Sequence, residues 1–396
     1  MIISPLFLFK EPERLPDLCL HIPSKVILGV DAIHRIGTLV SEIAERILIV
    51  TEAILYEKKT IQRVQELLEK KGIKHITFDE VIPNATSTVV EDGVKLARVS
   101  HVDAVIGLGG IKTLCTAKCI AMVTPTKKTI DQYLLGYKPE ENLLPYIEIP
   151  TTCRNPFMLT DEYLIVDARD RKGNIGTAQQ GITKLVIIDP ELSSSLPLKY
   201  TGTTVLSTLL YAIEGYISNR STFFSDLVFS KAIDTISTII PSMVEHPEDS
   251  IHRVHASTAG LLVAIGLINS QAGIGTALSY AINASLMVPK SWVASILLPH
   301  ILEFHVTNSA EKLAHVAALL GESTEGLQSQ DAAKKAVDGV RRLLALLKLP
   351  TRLRDFDLKL DDMVVVVETA YSYKMINEVP RQIKPDDMYE IIKSAY

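Results

Sequence analysis

The feature that most constrains this chain is a change of rhythm near residue 190. Up to that point short β-branched runs alternate with amphipathic segments: "RILIVT" (46–51), "IQRVQELLEKKG" (61–72), "HITFDEV", "VVEDGVKLARV" and then "DAVIGLGG", with a helix expected from about Lys112. Strands of period 2 separated by helices of period 3.6 make βαβ units, and successive βαβ units make a parallel sheet. "YIEIPTT", "DEYLIVDARDRKGNIGT" and "KLVIIDP" continue the strands, the Asp170–Asn174 stretch suiting the turn of a β-hairpin. After Pro190 the strands stop. "GTTVLSTLLYAIEGYIS", "SDLVFSKAIDTISTIIPSMVEH", "SIHRVHASTAGLLVAIGLINSQ", "AEKLAHVAALLG", "QDAAKKAVDGVRRLLALLKL" and "KPDDMYEIIKSAY" all carry the helix period. The pattern predicts an α/β domain with a parallel sheet over residues 1–190 and an all-helical domain over 191–396, with ligands in the cleft between them.

Bulk properties narrow the function classes. The 41 basic and 46 acidic residues are evenly spread and give a net charge of −5. No basic footprint for nucleic acid or anionic lipid is present, so small molecules are the expected partners. "MIISPLFLF" lacks a leading basic region and Pro5 interrupts a run too short for a membrane span. A cytoplasmic protein with no membrane association is expected. Cys19, Cys115, Cys119 and Cys153 lack the paired spacing of a zinc knuckle or disulfide framework and read as reduced thiols; Cys115 and Cys119, one helical turn apart, read as small packing residues. The ten histidines form no cluster.

"VIGLGGIKTLCTAKCIA" (105–121) has the form of a strand entering a phosphate-cradling turn and then a helix, where free amides and the helix dipole favour anions. The residues at its tip are unusual for that task. Gly109 and Gly110 allow close backbone approach, but Ile111 is bulky and β-branched, and Lys112 introduces a charge.

The order of motifs resembles the iron-containing alcohol dehydrogenase family, which shares a dehydroquinate synthase-like architecture with glycerol dehydrogenase. "KVILGVDAIHRIG" is similar to that family's opening hairpin and first helix, "ILIVTE" to its second strand with an acidic end, and "IPNATSTVVEDG" to its N-P-T loop. "GLGGIKTLCTAK" is similar to its G-G-G-S-x-x-D-x-A-K turn, "ILLPHILEFH" and "LPTRLRDFDLKLDDM" to later landmarks, and "VPRQIKPDDMYEIIKSAY" to its C-terminus. The resemblance runs nearly end to end and implies a cofactor cleft with NAD(P) as the candidate dinucleotide. Gly109, Gly110, Lys112, Thr151, Thr152, Glu52 and Asn84 fall on the cofactor-binding positions. Where the family has A-G-T-G-S-E, this chain has Cys153, Arg154, Asn155, Pro156, Phe157 and Met158.

The family's metal ligands, an aspartate and three histidines, carry over onto Ser207, Tyr211, Thr276 and Lys290. Hydroxyls are weak ligands and a lysine brings its own positive charge, so the resemblance implies no bound metal. The expected catalytic set is these same residues, with Lys290 standing in for the metal's charge and Tyr211 passing a proton. Three functions are open: a metal-independent enzyme acting on a small hydroxy or oxo substrate by acid–base chemistry, a silent homologue serving as a binding or structural subunit, and an NAD(P)-dependent alcohol dehydrogenase or aldehyde reductase. Arg154 and Lys112 are a candidate anion site. A homo-oligomer, dimer or larger, is expected.

Overall fold

The computed structural model describes residues 18–81, 85–139 and 142–396. Six parallel strands form one sheet: β1 (Lys25–Leu28), β2 (Arg46–Val50), β3 (Lys74–Phe78), β4 (Ala104–Gly109), β5 (Tyr146–Pro150) and β8 (Thr183–Ile188), in the order β1-β8-β5-β4-β2-β3. β6 (Glu162–Val166) and β7 (Gly173–Thr177) stand apart as an antiparallel hairpin closed across Asp167–Lys172.

Both faces of the sheet are covered, which is why its strands read as unbroken apolar runs. Alternate side chains serve opposite faces. Ile47 and Ile49 of β2 pack with Ile106, Ile147 and Ile187 on one side, against Ile36, Ile61 and Val64. Leu48 and Val50 point to the other, toward Val90, Val94 and the Ile111–Val123 helix. One expectation is corrected here. Among the described residues "KVILGVDAIHRIG" does not open with a hairpin, because Lys25–Leu28 pairs in parallel with Leu185–Ile188, 160 residues later. Local pattern cannot distinguish these pairings, since either partner satisfies the same strand.

Beyond Ile188 the chain is helical. The principal helices are Leu198–Ile217, Phe223–Glu245, Ile251–Ile268, Ile274–Leu286, Lys290–His305, Ala310–Leu319, Ser329–Leu347, Met363–Tyr371 and Pro385–Ala395. Two of them, Phe223–Glu245 and Ile251–Ile268, are long and apolar enough to cross a membrane. Here they pack against each other, burying Phe229, Ile233, Ile236 and Ile240 on one and Ala259, Val263 and Leu267 on the other in a common core.

The carboxyl ends of β2, β4 and β5 face this helical layer, so the residues that follow them, Glu52, Gly110 and Thr151, stand together at the floor of a cleft. Ligands of open parallel sheets gather at this edge.

Candidate functional site

A cavity of about 600 Å³ occupies the cleft. Its sheet side is lined by Glu52, Gly110, Ile111, Lys112, Thr151, Thr152 and Arg154; its helical side by Tyr200, Asn283, Met287, Pro289, Lys290 and Ser291.

At the floor, the Ile111–Val123 helix begins directly after Gly110, whose N–H points out of the helix N-terminus. That donor is already engaged. Glu52 Oε1 accepts from Gly110 N–H at 2.7 Å and from the Thr113 hydroxyl at 2.7 Å. A Cβ at Gly109 would lie 2.6 Å from the same oxygen, so glycine is required for the carboxylate to nestle there. Glu52 thus places a fixed negative charge at the positive end of the helix. As arranged, the turn does not fit a pyrophosphate: the amide and hydroxyl that would cradle it are bound to Glu52, and Ile111, 2% exposed, forms the adjoining wall.

The second loop is held from below. Buried Lys118 donates to the carbonyls of Phe157 (2.8 Å), Thr160 (2.8 Å) and Glu162 (3.2 Å). Asn155 donates to Glu148 and accepts from Phe157 N–H at 3.1 Å. Burial pushes the Glu148 carboxyl up to about 7, against the opposing pull of Lys118 and Asn155. From above, Gly260 of the Ile251–Ile268 helix presses on the loop so closely that a Cβ there would run into the Cys153 carbonyl oxygen. These contacts fix Arg154 in the cavity wall. It is 8% exposed, and among the described residues its Nε and Nη1 have no hydrogen-bond partner; neither has the buried Thr152 hydroxyl.

Lys290 enters from the opposite side. Asn283 Nδ2 donates to the Val288 carbonyl at 2.8 Å and Met287 takes a left-handed conformation (φ 63°), which ends one helix and lets Pro289 start the next. Lys290 is therefore the first residue of the Lys290–His305 helix, at its positive end, where a cation is disfavoured. The side chain is 7% exposed and makes no hydrogen bond or ion pair among the described residues; its ammonium lies over the Tyr280 ring, 5.4 Å from the centroid. Burial, then the charges of Lys112 and Arg154, lower its pKa to about 7, with Cys115 opposing. Burial and Arg154 lower Lys112 as well, with Glu52 opposing.

The expected catalytic set is only partly gathered. Lys290 lines the cavity, whereas Ser207, Tyr211 and Thr276 do not. Tyr211 is linked to Lys290 through Tyr280, whose hydroxyl donates to the Tyr211 oxygen at 3.3 Å. Thr276 is committed to Glu214: its hydroxyl donates at 2.6 Å, alongside Gly275 N–H at 2.6 Å and Gly273 N–H at 2.9 Å. Ser207 is fully buried, its hydroxyl without a partner among the described residues. Three hydroxyls and an ammonium do not fit a divalent ion, and among the described residues no group of three or more His, Cys, Asp and Glu side chains is placed to hold one. Of the cofactor positions, Gly110, Lys112, Thr151, Thr152 and Glu52 line the cavity; Gly109 lies just behind it, its carbonyl accepting from Thr151 N–H at 3.0 Å. Asn84 lies outside the described residues. Cys115 and Cys119 are core residues whose burial pushes their thiols up, which makes them unreactive.

Tyr280, Asn283 and Ser291 were not legible as site residues. The spacing Thr276–Tyr280, one helical turn, is the only sequence signal that places Tyr280 on the same face.

The fold and cleft define a dehydroquinate synthase-like α/β-plus-helical protein. The chain belongs to the iron-containing alcohol dehydrogenase family: the profile "Iron-containing alcohol dehydrogenase" matches residues 23–190, and "Fe-containing alcohol dehydrogenase family, C-terminal" matches 201–396. It is 27% identical to the NAD-dependent methanol dehydrogenase of Bacillus methanolicus, over 94% of this chain and 98% of that protein. It is 25% identical to the lactaldehyde reductase of Escherichia coli K12, over 91% and 96%. Among solved structures, a 1,3-propanediol oxidoreductase superposes with a TM-score of 0.91 at 24% identity, covering 96% of this chain and 100% of the other.

Proposed function

We propose that the cleft is a metal-independent reaction site for a small hydroxy or oxo compound, with Lys290 as the proton-carrying group. The observation that carries this reading is the placement of Lys290: a buried amine with no hydrogen-bond or ion-pair partner among the described residues, opening on the cavity with a pKa of about 7. Such an amine is half neutral near pH 7 and serves as a general base, a role worth roughly 10²–10⁴ in rate. In the step proposed, the neutral amine takes a proton from the carbon next to the substrate carbonyl. The C–H bond breaks, an N–H bond forms, and the electron pair moves onto the oxygen as an enolate, whose charge is met by the cationic wall of Lys112 and Arg154. Return of the proton regenerates the amine. The cytoplasm is the proposed location.

Relatives named as methanol dehydrogenase and lactaldehyde reductase support a second reading, an oxidoreductase on small alcohols with NAD(P) as hydride carrier. The observation in its favour is that Gly110, Thr151, Thr152 and Glu52 still line one cavity. A silent subunit is the third.

The test is deuterium exchange. The purified protein, with its metal content measured, is incubated in D₂O with glycolaldehyde, hydroxyacetone, dihydroxyacetone or the oxo acid pyruvate without nucleotide, and carbon-bound deuterium is followed by NMR. Exchange that is lost in Lys290→Met supports the proposal; absence of exchange, or exchange unchanged in the variant, overturns it. Binding of NAD(H) or NADP(H), measured in parallel, with turnover of small alcohols, would establish the second reading. Neither exchange nor nucleotide binding would leave the silent subunit.

A further inference from the structure

Among the described residues, four basic side chains, Lys58, Lys112, Arg154 and Lys290, line the cavity with one acidic side chain, Glu52. Glu52 is turned to Gly110 and Thr113 and does not neutralise Arg154 by contact. Arg154 is more than nine-tenths buried and, among the described residues, leaves Nε and Nη1 without partners, and two residues away the buried Thr152 hydroxyl is also unmet. A buried guanidinium with unmade hydrogen bonds costs several kcal/mol unless something satisfies it. The loop is not free to relieve this by moving, since Lys118, Asn155 and Gly260 pin it on both sides. Unmet donors held rigidly in the wall of a largely apolar cavity are the signature of a ligand site.

Resting on the reading of Lys290 as the proton carrier, we infer that the substrate bears an oxyanion head group, a carboxylate or a phosphate, that docks on Arg154 and the Thr152 hydroxyl. Both donors belong to the sheet wall and Lys290 to the helical wall, so a small hydroxy or oxo acid spans the cavity with its head group on Arg154 and its reacting carbon toward Lys290. Lys112 adds positive potential without being required as a direct contact. Glu52 repels any second anion from the turn beside it.

The probes are glycolate, inorganic phosphate and, as a neutral control, ethylene glycol, titrated calorimetrically into the 396-residue chain at two salt concentrations. Glycolate or phosphate is expected to bind at least about tenfold more tightly than ethylene glycol, and Arg154→Met to lower that affinity by about tenfold or more. Thr152→Val, which keeps the side-chain shape, is expected to lower it several-fold and serves if Arg154→Met fails to fold. Tighter glycolate names a carboxylate and tighter phosphate a phosphoryl group; either supports the site. Equal binding of glycolate and ethylene glycol, or anion affinity unaltered in the variants, overturns it. So does loss of NAD⁺ affinity in Arg154→Met where neither acid binds, since the anion would then belong to a dinucleotide. Acid binding without deuterium exchange would refute Lys290 as the base and leave the anion site standing; exchange of neutral hydroxyketones without acid binding would refute the anion site alone.

Discussion

Replacing Lys290 with methionine should make the protein more stable, and the size of the gain should depend on pH. Methionine keeps the length of the side chain and its contact with the Tyr280 ring but removes a charge that the fold holds in a poor place. The groups facing that charge are Lys112 and Arg154 across the cavity, Cys115 from the adjoining helix, the ring of Tyr280, and the positive end of its own helix. None is an anion in contact with it. With the pKa lowered from 10.5 to about 7, the unfolded chain binds a proton that the native state binds more weakly. The penalty is fully present below pH 7, declines as pH rises from 7 to 10.5, and vanishes above, so stability attributable to this group rises with pH through that window. A shift of that size corresponds to about 4–5 kcal/mol at most. For a chain of 396 residues this is about 5 °C in Tm. The assay is thermal and urea denaturation of parent and Lys290→Met at pH 6.5 and pH 10. The expected result is a variant more stable at pH 6.5, with the difference shrinking at pH 10. A variant equally or less stable at pH 6.5 would show that Lys290 is solvated or paired, and the argument for a base of lowered pKa would fail with it.

Two further substitutions separate structural from functional carboxylates. Glu214→Ala should lose about 3–5 kcal/mol in urea denaturation, because it strands the Gly273 and Gly275 amides and the Thr276 hydroxyl in a dry interior; a loss below about 1 kcal/mol would show that water reaches those groups. Glu52→Ala releases Gly110 N–H and the Thr113 hydroxyl at a helix N-terminus and is expected to strengthen NAD⁺ binding, measured by calorimetry, by about tenfold. Weaker NAD⁺ binding in this variant would mean that Glu52 accepts a ribose hydroxyl instead of blocking the phosphate cradle.

Much of the fold was legible because it is written in local periodicity. Val105–Gly110 and Arg46–Thr51 are apolar runs bounded by glycines or charge, and the helices after Pro190 carry their own period. The pairing of Lys25–Leu28 was not legible, since nothing within a strand of four residues encodes a partner 160 residues away. The site divides in the same manner. Gly110, Thr151, Thr152 and Glu52 could be placed in one cleft because each follows a strand of the same sheet, and strand ends converge by topology. That Glu52 turns its carboxylate into the turn, and that Thr276 belongs to Glu214, depend on side-chain choices among several available donors, which spacing does not determine.

Arg154 shows the limit most clearly. In the sequence it is one charged residue in an irregular loop, readable with Lys112 as a candidate anion site or equally as a solvated charge, and nothing local decides between them. Its burial is imposed by three distant features: Lys118 gathers the carbonyls that follow it, Asn155 ties the loop to Glu148, and the absence of a side chain at Gly260 lets a helix close over Cys153. Each of these is bland alone. Together they hold a guanidinium where it is electrostatically expensive, in the same cavity as a lysine that is expensive for the same reason. Two like charges facing each other across a cleft destabilise the protein unless a negatively charged guest enters between them. Drift toward a silent scaffold would relax such a pair first, since almost any neutral substitution at either position relieves it. Their joint presence is therefore an argument for a retained task, and it makes the double variant Arg154→Met with Lys290→Met informative: its gain in stability should fall short of the sum of the single gains, because each charge removed relieves the other. Simple additivity would show that the two cations do not share a field, and a common anionic guest would lose its support.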